Sequence, residues 1–334
     1  MKAVGFLRCA ELSEPDALLD LELPEPVPGP GDLLVAVEAV GMNPLDTKVR
    51  RLQPPAEGQA RVLGWDVAGT VLATGPAVDG FQPGDRVWYA GALHRAGAAS
   101  ERHVVDHRLV SRRPASWDAA QCAALPLTAI TAWELLFDRL GVTATSTGAL
   151  LVTGAAGGVG SMLIQLARAL TGLTVVATAS RPETRDWASG LGAHHVIDHH
   201  EDLLAAWQAL GLGEAPWVAS LTATDRHAPA LSALMAPQGR LALIDDPQQL
   251  DIRLFKRKSI SLHWEYMFTR SLFDTTDVAR QGAILAEVAA LAEAGRLRST
   301  LHTRGGPITA NAMRAAQACL ERGEAIGKIV LAGF

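Results

Sequence analysis

The chain has 334 residues, 49% apolar and 19% charged, a size and balance that suit two globular domains rather than one. Against 35 aspartates and glutamates stand 30 lysines and arginines, and the formal charge of −5 offers no basic field to nucleic acid. No window approaches the ~18 consecutive apolar residues of a membrane helix and no secretory pattern is read, so the expectation is a cytoplasmic protein without a membrane partner. Cys9, Cys122 and Cys319 are scattered without paired spacing, which argues for reduced thiols and against a disulfide frame or a Cys-rich zinc lobe.

Residues 1–7 read as a strand, and short strands with turn punctuation continue to about residue 106. Pro24, Pro26, Pro28 and Pro30, with Gly29 and Gly31, make a stiff irregular connection. Residues 32–41 are apolar enough for a half-buried strand. Residues 64–75 and 80–89 set glycines around Val-rich segments, and Pro83-Gly84-Asp85 marks a tight turn. This is a β-rich domain, read as a partly closed barrel. From Trp117 the character changes. Residues 119–124 form helix, Pro126 interrupts it, and residues 129–141 resume with Trp133, Leu136, Phe137 and Leu140 as the apolar face. Next come a strand over 149–153, a helix over 161–170, a strand over 174–179, a helix over 182–190 and a strand over 195–198. Residues 217–221 and 240–245 are further strands, with a helix near 228–235 that ends at Pro237-Gln238-Gly239. Residues 259–263 make the sixth. Six strands alternating with helices form a doubly wound parallel sheet, the Rossmann α/β class. Helices over 276–295 and 310–322 and a strand over 328–331 return to the first domain.

Residues 150–160, LLVTGAAGGVG, join strand to helix through a turn of glycines and alanines. This is the context of a dinucleotide-binding fingerprint, although it is not a literal G-x-G-x-x-G. Residues without bulky side chains let the backbone approach a pyrophosphate, which faces the unpaired N–H groups of the helix N-terminus. A plain tight connection is the alternative. About twenty residues beyond Gly160 a Rossmann unit usually carries an Asp or Glu for the adenosine ribose. Here the chain reads Ser180-Arg181-Pro182, with Arg185 beyond. A hydroxyl and a guanidinium can hold a 2′-phosphate that a carboxylate would repel, which favours NADPH over NADH. A solvated helix start is the bland reading of the two arginines.

Asn43-Pro44-Leu45-Asp46, Gly64-Trp65-Asp66-Val67-Ala68-Gly69, Pro83-Gly84-Asp85-Arg86-Val87, Leu125-Pro126-Leu127-Thr128, the GAAGGVG turn and Gly327-Lys328-Ile329-Val330 occur in this order. The pattern resembles the medium-chain dehydrogenase/reductase superfamily over nearly the whole chain. Val196-Ile197-Asp198-His199 and Leu262-His263-Trp264-Glu265 look like its zinc-type alcohol dehydrogenase-like group, close to the quinone oxidoreductases. The resemblance implies a GroES-like catalytic domain over 1–125 and 271–334, and a dinucleotide-binding Rossmann domain over 126–270. Zinc members have a Cys-His pair where this chain reads Met42-Asn43-Pro44, and Gly-His-Glu where it reads Gly64-Trp65-Asp66. Asn and Trp are not zinc ligands; Asp66 alone has a side chain that zinc accepts, and Cys122 is a lone thiol off the third position. The expectation is a member with no metal.

Without a Lewis acid to generate an alkoxide, alcohol oxidation becomes the less favoured chemistry. Reduction of a quinone or an α,β-unsaturated carbonyl needs a placed hydride donor and a polar group near the developing oxyanion. The resemblance implies that activity, with NADPH as cofactor. By position, Asn43 lies beside the nicotinamide and its amide bonds the ribose or the substrate carbonyl; a turn-forming Asn before Pro44 is the alternative. Thr128 faces the nicotinamide phosphate or ribose, or serves as an N-cap before Ala129. Backbone N–H groups of Gly157, Gly158 and Val159 meet the pyrophosphate, flanked by Ala156 and Gly160. Ser180, Arg181 and Arg185 hold the 2′-phosphate, although Thr184 stands where many relatives carry a lysine. His199 stands near the adenosine phosphate, Leu221 joins the cofactor set, and Lys328 lies near the cofactor or is a surface strand lysine. Tyr89 and Tyr266 are the candidate proton donors, Tyr89 facing a cleft by analogy. Trp65, Tyr89 and Trp264 are candidate aromatic walls for a flat substrate. The group His194-His195-x-x-x-His199-His200 alternates faces along a strand and does not converge on one ion.

The alternatives are a zinc-dependent alcohol dehydrogenase with substituted ligands and an NADPH-binding protein with a non-catalytic role. Residues 259–263, at a sheet edge, are the candidate strand for a homodimer, as in relatives.

Overall fold

The β-branched and leucine-rich runs of the middle of the chain form one all-parallel sheet of six strands. Their spatial order is His195–Ile197, Gly172–Thr178, Thr147–Val152, Ala215–Ser220, Met235–Leu243 and Ser261–Trp264. In chain order this is 3-2-1-4-5-6, the Rossmann arrangement. Leu150 at its centre pairs with Val175 on one side and Trp217 on the other. Leu151, Val176, Val218 and Leu241 turn to one face, where Trp207, Leu231 and Phe255 complete an apolar core. The computed structural model describes Met1–Phe334. It divides the chain into a unit of Thr131–Met267, which holds this sheet, and a unit of Met1–Ile130 with Phe268–Phe334.

The second unit is β-rich. Its larger sheet runs Leu301–Arg304, Lys328–Ala332, Asp32–Gly41, Val67–Thr74, Arg86–Tyr89 and Ser111–Arg112, with Arg102–Asp106 also paired to Asp32–Gly41. Leu33, Val35 and Val37 point inward from the ten-residue Asp32–Gly41 strand at a period of two. Lys328–Ala332 pairs antiparallel with that strand, Val330 opposite Gly41, so the end of the chain closes the domain that its beginning builds. A smaller sheet sets Lys2–Phe6 between Leu19–Glu22 and Arg61–Val62. No helix of the protein is long and apolar enough to cross a membrane.

Several elements differ from the sequence reading for identifiable reasons. Pro126 does not interrupt a helix but opens one, Pro126–Trp133, because the first turn has no use for the missing N–H. That helix passes into a π-helical turn, Glu134–Arg139, which no propensity announces. Pro237-Gln238-Gly239 lies inside the Met235–Leu243 strand rather than ending a helix. The register shifts opposite Ala215 and Trp217, and Gln238 takes a φ of 63°, a local irregularity that tolerates the proline. The helix before it, Thr224–Leu234, starts earlier than read and contains Pro229. The sixth strand is Ser261–Trp264, and the long amphipathic helix is shorter than expected, Arg280–Glu293. Four helices went unread: Pro44–Leu52, Leu203–Ala209 and the single turns Arg253–Lys256 and Thr269–Leu272. The second starts where Asp202 Oδ1 accepts the Leu204 and Ala205 N–H groups.

Candidate functional site

In the Rossmann unit the glycine turn leads into the 13-residue Gly158–Leu170 helix. Its N-cap is Gly157, and no side chain caps it. Gly154 takes a φ of +61°, which lets the chain turn sharply off the first strand. Gly160 packs tightly, since a Cβ there would sit 2.6 Å from the Ala155 Cα and carbonyl oxygen. A Cβ on Gly157 would meet only the Gly154 oxygen, at 3.4 Å. The turn is therefore packed behind and open in front, where the helix presents its first N–H groups. Ala156 is buried, while Gly157, Gly158 and Val159 are half-buried. Leu221, just past the fourth strand, donates its N–H to Thr153 Oγ1 at 2.9 Å, so it stands at the same carboxyl end of the sheet. Thr178 Oγ1, at the end of the second strand, and His199 Nδ1, in the turn after the third, are buried polar atoms with no hydrogen-bond partner in the chain. These features fit a dinucleotide, whose pyrophosphate would answer the helix N-terminus and whose ribose and base would answer the two orphaned atoms.

Beyond that end, Arg181 is exposed at the N-cap of the Pro182–Gly190 helix. Thr184, in the place of the relatives' lysine, is buried and turns its hydroxyl back to the Arg181 carbonyl at 2.7 Å. Ser180 and Arg185 are half-buried, and Arg185 Nη2 reaches the Val196 oxygen at 3.4 Å. His199 and His200 lie in the turn after the short His195–Ile197 strand, not along it. The His199 ring approaches His200 at 4.5 Å and His227 at 6.2 Å, and burial pushes His199 and His227 below the ordinary histidine range.

In the β-rich unit, four stretches that the sequence singled out as motifs converge. Lys328 is 3% exposed, and its Nζ donates to Met42 O at 2.7 Å, Asn43 Oδ1 at 2.5 Å and Asp66 Oδ2 at 2.7 Å. Lys328 is thus no surface strand lysine. Asp66 Oδ2 also accepts from Asn43 Nδ2 at 2.9 Å, and Oδ1 accepts the Leu127 N–H at 2.6 Å, capping the first turn of the Pro126–Trp133 helix. Asp46 is wholly buried. Its two oxygens take the backbone N–H groups of Asn43 and Gly64 at 2.8 and 2.9 Å, the first being half of a capping box for the Pro44–Leu52 helix. Burial pushes the Asp46 carboxyl up to about 6, against the pull of those N–H groups and of Lys328. Burial likewise pushes Asp66 upward, opposed first by Lys328. Its hydrogen bonds decide the state: three donors, one of them cationic, point at its oxygens, and a proton on either would have no acceptor.

Several expected roles change here. The Asn43 amide was read as reaching a ribose or a substrate carbonyl. It is 2% exposed, its oxygen is taken by Lys328, and its NH₂ serves Asp66 and, at 3.4 Å, the Gly41 oxygen. Thr128 is the third residue of its helix rather than its N-cap, and its hydroxyl donates to the Leu125 oxygen at 3.0 Å. Tyr89 does not face open space: it is fully buried, its hydroxyl bonds His103 Nδ1 at 3.0 Å, and burial pushes the phenol far above its usual range. His103 Nε2 faces the Ala96 oxygen, which fixes the tautomer that accepts from Tyr89, and burial holds this ring down to about 4. Trp65 is 1% exposed and lies with Tyr89 beside Gly91, so neither ring is a surface wall. Trp264 and Tyr266 are the exposed aromatics of the Rossmann unit, at 59% and 45%. The sequence reading passed over Asp46, whose signal was its place three residues after Asn43, and the buried pair Glu134 and Glu265, which had none.

The donor chemistry does not suit zinc. No group of three His, Cys, Asp or Glu side chains converges anywhere. The Cys122 thiol is pushed up to about 12 by burial and faces only the carbonyls of Pro114 and Trp117. Asp66 is already engaged by Lys328.

Comparison with known proteins gives the lineage. The family model of the alcohol dehydrogenase GroES-like domain matches residues 29–115, and that of the zinc-binding dehydrogenases matches residues 158–279. A zinc-type alcohol dehydrogenase-like protein of Staphylococcus epidermidis is 32% identical over 99% of both chains. A solved structure from Rhizobium etli, provisionally described as a zinc-dependent alcohol dehydrogenase, is 52% identical over 100% of this chain and 98% of that one, with a TM-score of 0.96. A mycobacterial protein solved with NADPH is 29% identical, covers 99% of this chain and 100% of its own, and has a TM-score of 0.83. A quinone oxidoreductase of Pseudomonas syringae is 26% identical over 99% of both, with a TM-score of 0.82. The chain belongs to the medium-chain dehydrogenase/reductase superfamily of oxidoreductases, among its zinc-type alcohol dehydrogenase-like members.

Proposed function

We propose that the protein is an NADPH-dependent reductase of quinones or α,β-unsaturated carbonyls that works without a metal. The observation that carries this reading is the open, uncapped N-terminus at Gly157, followed at the end of the next strand by Ser180 and Arg181 where a carboxylate would select NADH. Bound NADPH supplies the hydride. The chain's own part is to hold the pyrophosphate on the N–H groups of Gly158 and Val159 and to balance the 2′-phosphate with Arg181. Ala156, Gly160 and Leu221 shape the floor, and Thr178 and His199 offer polar atoms to the adenosine half. With a quinone, hydride and one proton yield the hydroquinone; with an enone, hydride adds to the β-carbon and a proton to the α-carbon. Solvent supplies the proton, since Tyr89 is sealed against His103. The mycobacterial NADPH complex and the Pseudomonas quinone oxidoreductase support this reading, while the names of the Rhizobium and Staphylococcus relatives favour alcohol dehydrogenation.

The deciding experiment follows nicotinamide absorbance with quinones, enones and alcohols, each offered NADPH or NADH, or the oxidised forms. Quinone- or enone-dependent oxidation of NADPH, unchanged by chelators, is the expected result. Turnover confined to alcohols and lost with bound zinc would establish the rival dehydrogenase. Tight NADPH binding with no acceptor at all would mark a non-catalytic protein.

A further inference from the structure

The β-rich unit holds a cation of its own. An ammonium has three protons, and those of Lys328 meet three acceptors that each come from a different group: the Met42 carbonyl, the Asn43 amide and the Asp66 carboxylate. None is left over. The lysine enters from the first residue of the Lys328–Ala332 strand, Asn43 from the N-cap of the Pro44–Leu52 helix, and Asp66 from the residue before the Val67–Thr74 strand. The asparagine amide could sit in either of two flips. Only one gives its oxygen to an ammonium and its NH₂ to a carboxylate; the other would turn NH₂ toward Nζ and oxygen toward Asp66. The charge thus fixes the flip.

We propose that the Lys328 ammonium is the resident cation of the Asn43–Asp66 site, a covalent side chain standing at the positions where zinc-binding members carry metal ligands. It acts as a positioning residue that orients the Asn43 amide and keeps Asp66 ionised and closed to a metal. This deepens the metal-free reading above and rests on it. A divalent ion could reach Asp66 only by displacing the lysine, and it would find one carboxylate, one amide oxygen and one main-chain carbonyl, with no His or thiolate among them. The proton on Lys328 is not available to a substrate, since every N–H is committed inside the protein.

Removing the ammonium strands a buried carboxylate, and a stranded carboxylate takes up a proton. The groups that face Asp66 are Lys328, the Asn43 amide and the Leu127 N–H, with the carboxylate of Asp46 near enough to repel it. Once Lys328 is gone only neutral donors remain to oppose that uptake. The test is urea unfolding of the full chain as wild type, Lys328→Met, Asp66→Asn and the Asp66→Asn/Lys328→Met double variant between pH 7 and 9. In Lys328→Met the native state should hold one proton that the double variant does not. Its unfolding constant should therefore rise about tenfold per pH unit relative to the double. A simple packing defect at position 328 would shift both profiles equally. The double variant should also be more stable than Lys328→Met, because removing both charges strands neither. If Lys328→Met does not fold, soluble yield carries the same comparison: the double variant and Lys328→Arg recover where the single does not.

Parallel pH profiles with additive losses, or a double variant no better than the single, would overturn the role of Lys328 alone. Elemental analysis of wild-type protein after exposure to Zn²⁺ and desalting separates the other failure. Less than a tenth of an equivalent of zinc is expected; one equivalent per chain, absent in Asp66→Asn, would overturn the metal-free reading itself.

Discussion

Glu134 and Glu265, in the Rossmann unit, are 1% and 3% exposed, and one arginine serves both. Arg139 Nε lies 2.8 Å from Glu265 Oε2, and Arg139 Nη2 lies 3.9 Å from Glu134 Oε2. Two buried carboxyls beside a single arginine leave one negative charge unbalanced, and the neighbouring Glu134 favours a proton on Glu265. Burial, then the neighbouring Glu134, push Glu265 well above the ordinary value of 4.5, with Arg139 opposing. In the unfolded chain both groups lose their protons above that value, so the native pair holds one proton more through the neutral range. Stability then falls as pH rises, by about 1.4 kcal/mol per pH unit for one proton. Between pH 6 and 8 this contribution amounts to at most about 2.7 kcal/mol. Glu265→Gln replaces the proton by an amide N–H that does not titrate, and leaves Arg139 to balance Glu134. Urea unfolding of both proteins at pH 6, 7 and 8 isolates the pair, because every other titrating group is common to the two. The stability of Glu265→Gln relative to wild type should climb across the range by up to about 2.7 kcal/mol. Profiles that run parallel would show that no proton is shared.

Two glycines of the cofactor turn should separate folding from binding. Gly160→Ala forces a methyl against the Ala155 backbone and should destabilise the free protein by ~1–3 kcal/mol in calorimetry. Gly157→Ala has room for its methyl and should cost the free protein at most about 1 kcal/mol, yet weaken NADPH at least tenfold by titration. Equal stability losses for the two would sink the view of a turn packed behind and open in front. Arg181→Ala should raise the Kd of NADPH roughly tenfold or more and leave that of NADH nearly unchanged, as befits a lost charge-assisted bond of ~1.5–3 kcal/mol; losses of one size for both would remove Arg181 from the 2′-phosphate. Ser261–Trp264 is the outer strand of its sheet, with Trp264 59% exposed beside it. A homodimer through this edge should sediment as such in the wild type and as a monomer after Trp264→Lys, and a monomeric wild type would retire the proposal.

What could be read in the sequence was what is decided locally. The six parallel strands showed because each is a short apolar run stopped by a glycine or a helical pattern. The glycine turn between strand and helix showed because the absence of side chains at Gly154, Gly157 and Gly160 is itself a pattern. What was misread was decided across the chain. Asn43 looks the same in sequence whether it waits for a ligand or is consumed by a lysine 285 residues away. Tyr89 looks like a free acid until His103 is found on its hydroxyl.

The two helix N-termini make the contrast physical. Both Gly158–Leu170 and Pro126–Trp133 present backbone N–H groups that need an acceptor. At the first, glycines withhold every side chain that could serve, so the vacancy is written in consecutive letters and stays open to solvent or a ligand. At the second, the acceptor is Asp66, 61 residues upstream on another element, and a proline at the first helical position reads as a break. A helix start left open is therefore legible in its own few residues. One satisfied by the chain depends on a contact that only folding brings about, and that contact is what holds Asp66 in place for Lys328.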